Sequence, residues 1–341
     1  MARYNIKVLG IGGGGSNTVD FLMSNNIPNI QTFAMNTDDQ ALKQSKADIK
    51  IRLGKETTKG LGAGALPEVG RRAAEETRED IEEQLKGAHI VFIAAGMGGG
   101  TGTGAAPFIS GIAKELGILT IGVVTKPFNF EGPSRMKMAL EGLKELENNT
   151  DITIVIPNEK LIINHKEKYM EDAFVLPDEV LQTAIVSIVD VLYSTSSVSA
   201  NIDLNDLRTS LMGKGLAVMG IGASNDEELS GLENSQAALK NAIGSEILEI
   251  SIHGARNFII MLGSNPATFT FGEMEDLETT LEEELGYKIN CVTTLKEENK
   301  FSTFERTVTI IATDYENKEF VEQITEVKKS EPIGENFFSG L

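Results

Sequence analysis

The chain is poor in the residues that form covalent and metal crosslinks. It has one cysteine, Cys291, and three scattered histidines, His89, His165 and His253, in 341 residues. A single cysteine excludes an intrachain disulfide and a cysteine-rich zinc site, and we interpret it as a small buried apolar residue. Basic residues are also scarce, 31 against 50 acidic ones, which gives a formal charge of −19. That charge disfavours nucleic acid and anionic membrane surfaces as partners.

Long apolar runs are absent as well. No run in the sequence is long enough to span a bilayer, and the amino terminus lacks the apolar core of a signal peptide. We therefore expect a cytoplasmic protein without direct membrane insertion. The length accommodates about two ordinary domains.

Strand and helix patterns alternate through the first half of the chain. Apolar strand patterns lie at 5–11, 30–35, 88–95, 118–125 and 152–156, and helical patterns at 17–25, 68–86, 103–116 and 134–148. This alternation predicts an α/β fold with a parallel sheet covered on both faces. Residues 179–197 are apolar on nearly every face, which predicts a buried helix between two domains. Strand patterns at 215–222, 257–263, 288–295 and 305–313, with helices at 231–247 and 272–285, predict a smaller α+β domain.

Glycine-rich segments follow two of these strands. They read "GIGGGGSN" at 10–17 and "AAGMGGGTGTGAAP" at 94–107, and a third, "KGLGAGALPEVG" at 59–70, precedes another helix. Glycine lets the N–H groups of a helix start approach phosphate oxygens, so the segments predict a polyphosphate site. The motif G-x-x-x-x-G-K-[S/T] is absent, which excludes a P-loop NTPase.

The first glycine segment leaves one alternative open. Gly10, Gly12 and Gly15 have the spacing of a dinucleotide-binding loop, so a soluble oxidoreductase is a second hypothesis. However, Asn36 rather than an acidic residue ends the second strand, and the second glycine segment has no place in that fold.

Several motifs resemble the FtsZ family of bacterial tubulin-like GTPases. They include "KVLGIGGGGSN", "FIAAGMGGGTGTGAAP", "VVTKPFNFEGPSRM" and "NIDLNDLRT", and the resemblance runs from about residue 5 to about residue 313. It implies a Rossmann-like GTP-binding domain (1–177), a long central helix (178–198), a smaller α+β GTPase-activating domain (199–315) and a short flexible tail (316–341).

The same resemblance implies which residues bind GTP or GDP. By motif match the phosphate-binding residues would be Gly12, Gly13, Gly14, Gly15, Ser16, Asn17, Ala63, Gly64, Ala65, Met97, Gly98, Gly99, Gly100, Thr101, Gly102, Thr103 and Gly104. Glu131 and Arg135 would hold the ribose, Asn158 would lie near the guanine, Phe174 would stack on it, and Asp178 would accept its N–H groups. A carboxylate facing N1–H and the 2-amino group would reject adenine, which lacks both donors in that arrangement.

The catalytic residues implied by the resemblance are Asn201, Asp203 and Asp206. They would polarise water at the nucleotide of the next subunit in a head-to-tail homopolymer, and Mg²⁺ would bridge the β- and γ-phosphates. Hydrolysis would then depend on assembly into a cell-division ring at the division site. Because the segment "STSSVSANID" departs from the family pattern, a filament scaffold with little or no hydrolysis stays as an alternative.

The carboxyl-terminal tail departs furthest from the family pattern. The family contacts a membrane-tethering division adaptor through a short peptide with Pro, Phe and basic residues. Here the chain ends in "PIGENFFSGL", which has Pro332, Phe337 and Phe338 but no basic residue. An adaptor contact through this tail is therefore expected in an altered form.

Overall fold

The structure is a computed structural model that describes residues 4–162, 170–193, 204–211, 215–245, 248, 251–265, 267–297 and 301–315. The predicted tail, 316–341, lies outside these residues. The first half comprises β1 (Ile6–Ile11), α1 (Gly12–Ser24), β2 (Gln31–Asn36), α2 (Asp39–Gln44), β3 (Ile49–Arg52), α3 (Pro67–Glu76), α4 (Arg78–Leu85), β4 (Ile90–Gly96), α5 (Gly100–Glu115), β5 (Leu119–Lys126), α6 (Pro133–Asn149) and β6 (Ile152–Pro157).

The second half is built from longer strands. It comprises α7 (Asn158–Ile162), α8 (Met170–Tyr193), α9 (Leu204–Leu211), β7 (Gly215–Ser224), α10 (Gly231–Ile243), β8 (Ala255–Ser264), α11 (Phe271–Leu285), β9 (Asn290–Glu297) and β10 (Arg306–Tyr315). Among the residues described, no helix is long and apolar enough to cross a membrane.

The strands form a ten-stranded sheet in the order β3-β2-β1-β4-β5-β6-β7-β10-β8-β9. All neighbours from β3 to β7 are parallel, β10 runs antiparallel to both β7 and β8, and β9 is parallel to β8. The predicted α/β class is therefore confirmed. Strands β6 and β7 pair in parallel, from Ile152 opposite Gly215 to Ile154 opposite Ala217. This short pairing joins the first part of the sheet to the second.

Helices cover both faces of this sheet, and α8 is the buried helix that the apolar pattern predicts. Its side chains Leu181, Ala184, Ile185, Ile188 and Leu192 are buried in one core cluster with residues of α1 and of the central strands. The second cluster lies under α3, α5, α6, α10 and α11 on the opposite face. The described helix spans Met170–Tyr193 and so includes residues before the predicted start at 178, while the predicted residues 194–198 lie outside the described ranges. The domain boundaries themselves stay a prediction.

Helices α1 and α5 begin inside the glycine segments, several residues before the predicted starts at 17 and 103. The reason is close backbone packing. A Cβ atom on Gly15 would lie 2.1 Å from the carbonyl oxygen of Ala94, and one on Gly104 would lie 1.8 Å from that of Pro67. Only glycine permits these contacts, and they outweigh its low intrinsic helix propensity.

A buried ion pair joins α11 to β10. The side chains of Glu273 and Arg306 are 1% and 0% exposed, and Arg306 Nε lies 2.7 Å from Glu273 Oε2. Ser235 on α10 also donates to that oxygen, at 2.7 Å. Burial alone would raise the pKa of Glu273, but the hydrogen bonds from Arg306 and Ser235 outweigh it and hold that pKa below its usual value. The carboxylate therefore contributes stability at neutral pH that is lost as the pH falls through the lowered value.

We expect Glu273→Gln to lower the free energy of unfolding by about 3–5 kcal/mol, because the Arg306 guanidinium would stay buried without its counter-charge. Urea unfolding followed by circular dichroism at neutral pH measures the change. The matched control is Lys240→Gln, which breaks an exposed pair with Glu284 and should cost less than about 1 kcal/mol. Similar small losses for the two variants would contradict the expectation.

Candidate functional site

A cavity of about 320 Å³ lies where the parallel strands β1, β4, β5 and β6 end. The starts of α1 and α5, the start of α6 and the first turns of α8 surround it. The carboxyl edge of a parallel sheet is the usual place for a ligand in open α/β folds. The lining residues are Gly13, Gly14, Asn17, Gly96, Met97, Gly99, Gly100, Thr101, Gly102, Thr125, Pro127, Phe128, Glu131, Arg135, Asn158, Pro177, Asp178 and Leu181.

Two helix starts face this cavity, and neither is capped by a side chain. The residues before α1 and α5, Ile11 and Gly99, make no side-chain cap hydrogen bond, whereas Asp38 caps α2 and Ser230 caps α10. The first N–H groups of a helix have no partner within it and carry partial positive charge. The arrangement suits an anion with several oxygens, such as a polyphosphate.

The glycines of the two helix starts fall into two groups. A Cβ atom on Gly102 would lie 2.5 Å from the carbonyl oxygen of Gly96, so that glycine is needed for packing. A Cβ atom on Gly13 or Gly99 would meet nothing within 4 Å, although both residues line the cavity. Their bare backbone therefore keeps space free for a ligand rather than for a neighbouring part of the chain.

Two threonines fix the turn that leads into α5. The Thr103 hydroxyl accepts a hydrogen bond from the Gly98 N–H at 2.8 Å. The hydroxyls of Thr101 and Thr37 lie 2.6 Å apart, which ties the start of α5 to the end of β2. These bonds hold the glycine backbone in place at the cavity wall.

Hydrogen-bond acceptors lie at the other end of the cavity. Thr18 Oγ1 donates to Asp178 Oδ1 at 3.0 Å. Burial raises the pKa of Asp178 to about 6; the Thr18 hydrogen bond opposes this rise and the nearby Asp20 charge adds to it. Asn158 Oδ1 is buried and has no hydrogen-bond partner among the described residues. A ligand group that donates N–H bonds would satisfy both side chains.

Glu131 and Arg135 also line the cavity and form an ion pair. Arg135 Nη1 is 2.5 Å from Glu131 Oε2, and the N–H of Phe128 donates to Glu131 Oε1 at 2.9 Å. The Phe128 ring stacks on Phe130 with centroids 5.1 Å apart. The carboxylate is therefore held from two sides, at a place where a sugar hydroxyl could reach it.

Twelve of the predicted nucleotide-binding residues line the cavity, and the others lie elsewhere. Phe174 is on α8, but its side chain lies outside the described part of the chain. The segment with Ala63, Gly64 and Ala65 lies against the start of α5, since a Cβ atom on Gly100 would be 2.9 Å from Ala63 Cβ. The remaining six predicted residues lie behind the cavity wall or pack against neighbouring backbone; they are Gly12, Gly15, Ser16, Gly98, Thr103 and Gly104.

The sequence analysis missed six lining residues, namely Gly96, Thr125, Pro127, Phe128, Pro177 and Leu181. Four of them lie within the quoted motifs without having been assigned a role there, and Pro177 and Leu181 are apolar neighbours of Asp178 on α8. The signal that could have found them is their position at the carboxyl ends of β4 and β5, or next to Asp178.

Of the three predicted catalytic residues, the structure describes the backbone of Asp206 alone. Asn201 and Asp203 lie outside the described residues, and Asp206 is on α9 with its side chain undescribed. Helix α9 is held by Arg208, whose Nη2 donates to the carbonyl oxygen of Gly117 at 3.2 Å. Gly117 precedes β5, whereas the cavity lies at the far end of that strand.

Strand β5 has 8 residues and so spans about 25 Å. Helix α9 therefore lies at the amino edge of the sheet, and the cavity lies at its carboxyl edge. The structure brings twelve of the predicted nucleotide-binding residues together and places the helix with Asp206 at the opposite end of the strands.

Comparisons with known proteins agree with this architecture. The family model described as Tubulin/FtsZ family, GTPase domain, matches residues 5–165, and that of the FtsZ family, C-terminal domain, matches residues 215–316. A solved FtsZ dimer from M. jannaschii, described as empty, is 35% identical; the match covers 91% of this chain and 88% of that one, with a TM-score of 0.83. An FtsZ mutant from the same organism is 36% identical, with coverages of 92% and 91% and a TM-score of 0.82.

The chain belongs to the tubulin/FtsZ family. The resemblance expected from the motifs is therefore confirmed, and the chain carries the GTPase domain of that family, which implies binding of GTP or GDP. CetZ2 from Haloferax volcanii is also similar, with a TM-score of 0.79 and coverages of 94% and 96%, but its 17% identity shows a shared fold alone.

The cavity fits the nucleotide that this tubulin/FtsZ membership implies. Uncapped helix starts and the open faces of Gly13 and Gly99 suit the phosphates. The unpartnered Asn158 Oδ1 suits a base with an amino group. Among the described residues, no group of three or more His, Cys, Asp or Glu side chains could hold a metal ion.

We expect Gly99→Val to weaken GTP binding by about 1–3 kcal/mol, because its side chain would fill the phosphate end of the cavity. Gly99 has an extended backbone that valine tolerates, with φ −96° and ψ 177°. Isothermal titration calorimetry measures the affinity. Gly272→Val is the matched control, since a Cβ atom there also meets nothing within 4 Å but the residue is remote from the cavity. Equal affinities of the two variants would contradict the assignment.

We also expect GTP affinity to decrease as the pH falls below about 6, because only the ionised Asp178 carboxylate accepts two N–H bonds. Titration calorimetry across this range measures the effect. The nucleotide phosphates also take up protons, which changes the affinity in any variant. Asp178→Asn is therefore the control, because its pH dependence of GTP affinity keeps the phosphate effect and lacks the effect of the Asp178 carboxylate. Parallel profiles for the two proteins would refute the role of Asp178.

Proposed function

We propose that this protein is a GTPase that assembles head to tail and whose active site is completed by the neighbouring subunit. The observation that carries the proposal is the separation of α9 from the cavity by the length of β5. A helix at the amino edge of the sheet does not reach the cavity of its own chain. In a head-to-tail pair, the amino edge of one chain faces the carboxyl edge of the next.

The residues of the cavity bind and orient GTP in this proposal. The N–H groups at the starts of α1 and α5 hold the phosphates, and Glu131 and Arg135 hold the ribose. Asp178 accepts the N1–H and 2-amino donors of guanine, and Asn158 lies beside the base. This set of contacts positions the γ-phosphate at the open end of the cavity, where a second subunit can reach it.

The hydrolytic step is proposed for Asn201, Asp203 and Asp206 of the next subunit. A carboxylate that accepts a proton from water turns that water into a better nucleophile towards the γ-phosphate. Two carboxylates beside a triphosphate repel it unless a cation or a water lies between them. Mg²⁺ bound to the β- and γ-phosphates would supply charge neutralisation, with the nucleotide oxygens and water as its ligands.

Self-association through two different surfaces gives a filament rather than a closed dimer. Exposed apolar side chains beside the cavity support such a contact: Phe130 and Leu66 are 60% and 49% exposed. The M. jannaschii FtsZ structure is described as a dimer, which supports self-association here by family. We propose a cytoplasmic division ring as the cellular role, tethered to the membrane by an adaptor that binds the tail.

We expect phosphate release from GTP, per subunit, to be near zero at low protein concentration and to rise above a threshold. A site shared between subunits requires this behaviour, whereas a complete site in each chain gives constant turnover. A malachite green assay with Mg²⁺ over a concentration series measures it. Absence of phosphate at every concentration would favour the scaffold without hydrolysis.

We expect Asp203→Ala to bind GTP with unchanged affinity and to lose turnover, because the side chain acts on another subunit's nucleotide. Mixing the variant in large excess with the wild-type protein then tests the shared site. Most wild-type cavities would face a defective neighbour, so turnover per wild-type subunit should fall. Unchanged turnover per wild-type subunit would show that each chain uses its own aspartate, and lost GTP affinity would place Asp203 elsewhere.

A further inference from the structure

Thr18 lies behind the cavity wall, in contact with one residue of the glycine-rich helix start and with Asp178. It is on α1, its side chain is fully buried, and its hydroxyl is 3.0 Å from Asp178 Oδ1 on α8 and 3.1 Å from the carbonyl oxygen of Gly14. Asp178 and Gly14 both line the cavity, while Thr18 does not. The hydroxyl therefore contacts two cavity residues from behind the wall.

The two contacts compete for one proton. A hydroxyl has a single O–H donor, and both a carbonyl and an ionised carboxylate only accept. The bond to Gly14 is the ordinary contact of a threonine with the carbonyl four residues earlier in its helix. The bond to the carboxylate is charge-assisted and stronger, so the ionised carboxylate takes the proton.

Among the described residues, Thr18 is the group that supports the Asp178 carboxylate by a hydrogen bond. The nearby charge is that of Asp20, which is of the same sign and repels it. Pro177 and Leu181, its neighbours in the lining, offer no side-chain donor. One hydroxyl thus fixes the orientation of the carboxylate.

We propose that Thr18 is a positioning residue that holds Asp178 so that both carboxylate oxygens meet the N1–H and 2-amino donors of guanine, and thereby sets the preference for GTP over ITP. The inference rests on the proposed role of Asp178 in guanine binding. ITP lacks the 2-amino group, so it makes one of the two bonds. A bidentate contact requires both oxygens to be aligned, whereas a single bond tolerates rotation of the carboxylate.

The test compares GTP and ITP affinities of Thr18→Val and Thr18→Ser by titration calorimetry. Valine has nearly the shape of threonine without the hydroxyl, and serine keeps the hydroxyl without the methyl group. We expect Thr18→Val to weaken GTP binding about tenfold, the order of one charge-assisted hydrogen bond, and ITP binding clearly less. Thr18→Ser should restore the wild-type ratio of the two affinities.

The control is Thr183→Val on α8, whose hydroxyl donates to the carbonyl of Glu179 in its own helix at 2.9 Å. It should leave both affinities unchanged. Thr18→Ala is the second hydroxyl-free variant and should repeat the reduced ratio even if Thr18→Val unfolds. Equal loss of GTP and ITP binding in the hydroxyl-free variants would show only a structural role and would overturn the inference, as would no loss.

Failure of the inference is distinguishable from failure of the proposed function. If Asp178→Asn retains the preference for GTP, Asp178 does not recognise guanine and the proposed base contact is wrong. If Asp178→Asn loses the preference while Thr18→Val keeps it, the base contact stands and only the role of Thr18 is wrong.

Discussion

The candidate site depends on backbone atoms coming unusually close together. Two helices start directly at the ends of neighbouring strands, and their first turns are rich in glycine because at Gly15, Gly102 and Gly104 a side chain would overlap a carbonyl oxygen. The contact between Gly15 and the Ala94 oxygen sets α1 against β4, and the contact between Gly104 and the Pro67 oxygen sets α5 against α3. Only with both contacts in place do two uncapped helix starts face the same cavity.

The parallel sheet determines where the predicted nucleotide-binding residues and the proposed hydrolytic helix lie relative to each other. Parallel strands place every strand-to-helix turn at one edge and every helix-to-strand turn at the other. The cavity and its predicted nucleotide-binding residues lie at the carboxyl edge, and α9 is bound at the amino edge through Arg208. The fold therefore separates binding residues from the proposed hydrolytic ones within one chain. The same separation would complete the site between two chains stacked along the strand direction.

The elements with strong apolar periodicity and the glycine segments could be predicted from the sequence. Burial requires apolar residues and close backbone approach requires glycine, so both constraints are visible in the residue types. The sequence did not predict α2 or β3, which are 6 and 4 residues long and carry little periodic signal. The motifs do not show which role each glycine has. Gly13 faces open space whereas Gly15 packs on a strand, and only the three-dimensional structure distinguishes the two. The contact between Thr18 and Asp178 joins residues 160 positions apart, which no local pattern reveals. The tail and the segment before Asn201 stay predictions.

The opposite placement of the cavity and α9 also gives any head-to-tail filament a direction. One terminal subunit presents an open cavity, and the other presents α9, which carries Asp206. In the proposed filament, the subunit with the open cavity has no neighbour to complete its site, so its nucleotide would stay unhydrolysed while that subunit is terminal. Each arriving subunit would then complete the site of the one before it. Older positions in the filament would then hold GDP and the newest would hold GTP. The two ends would gain and lose subunits at different rates.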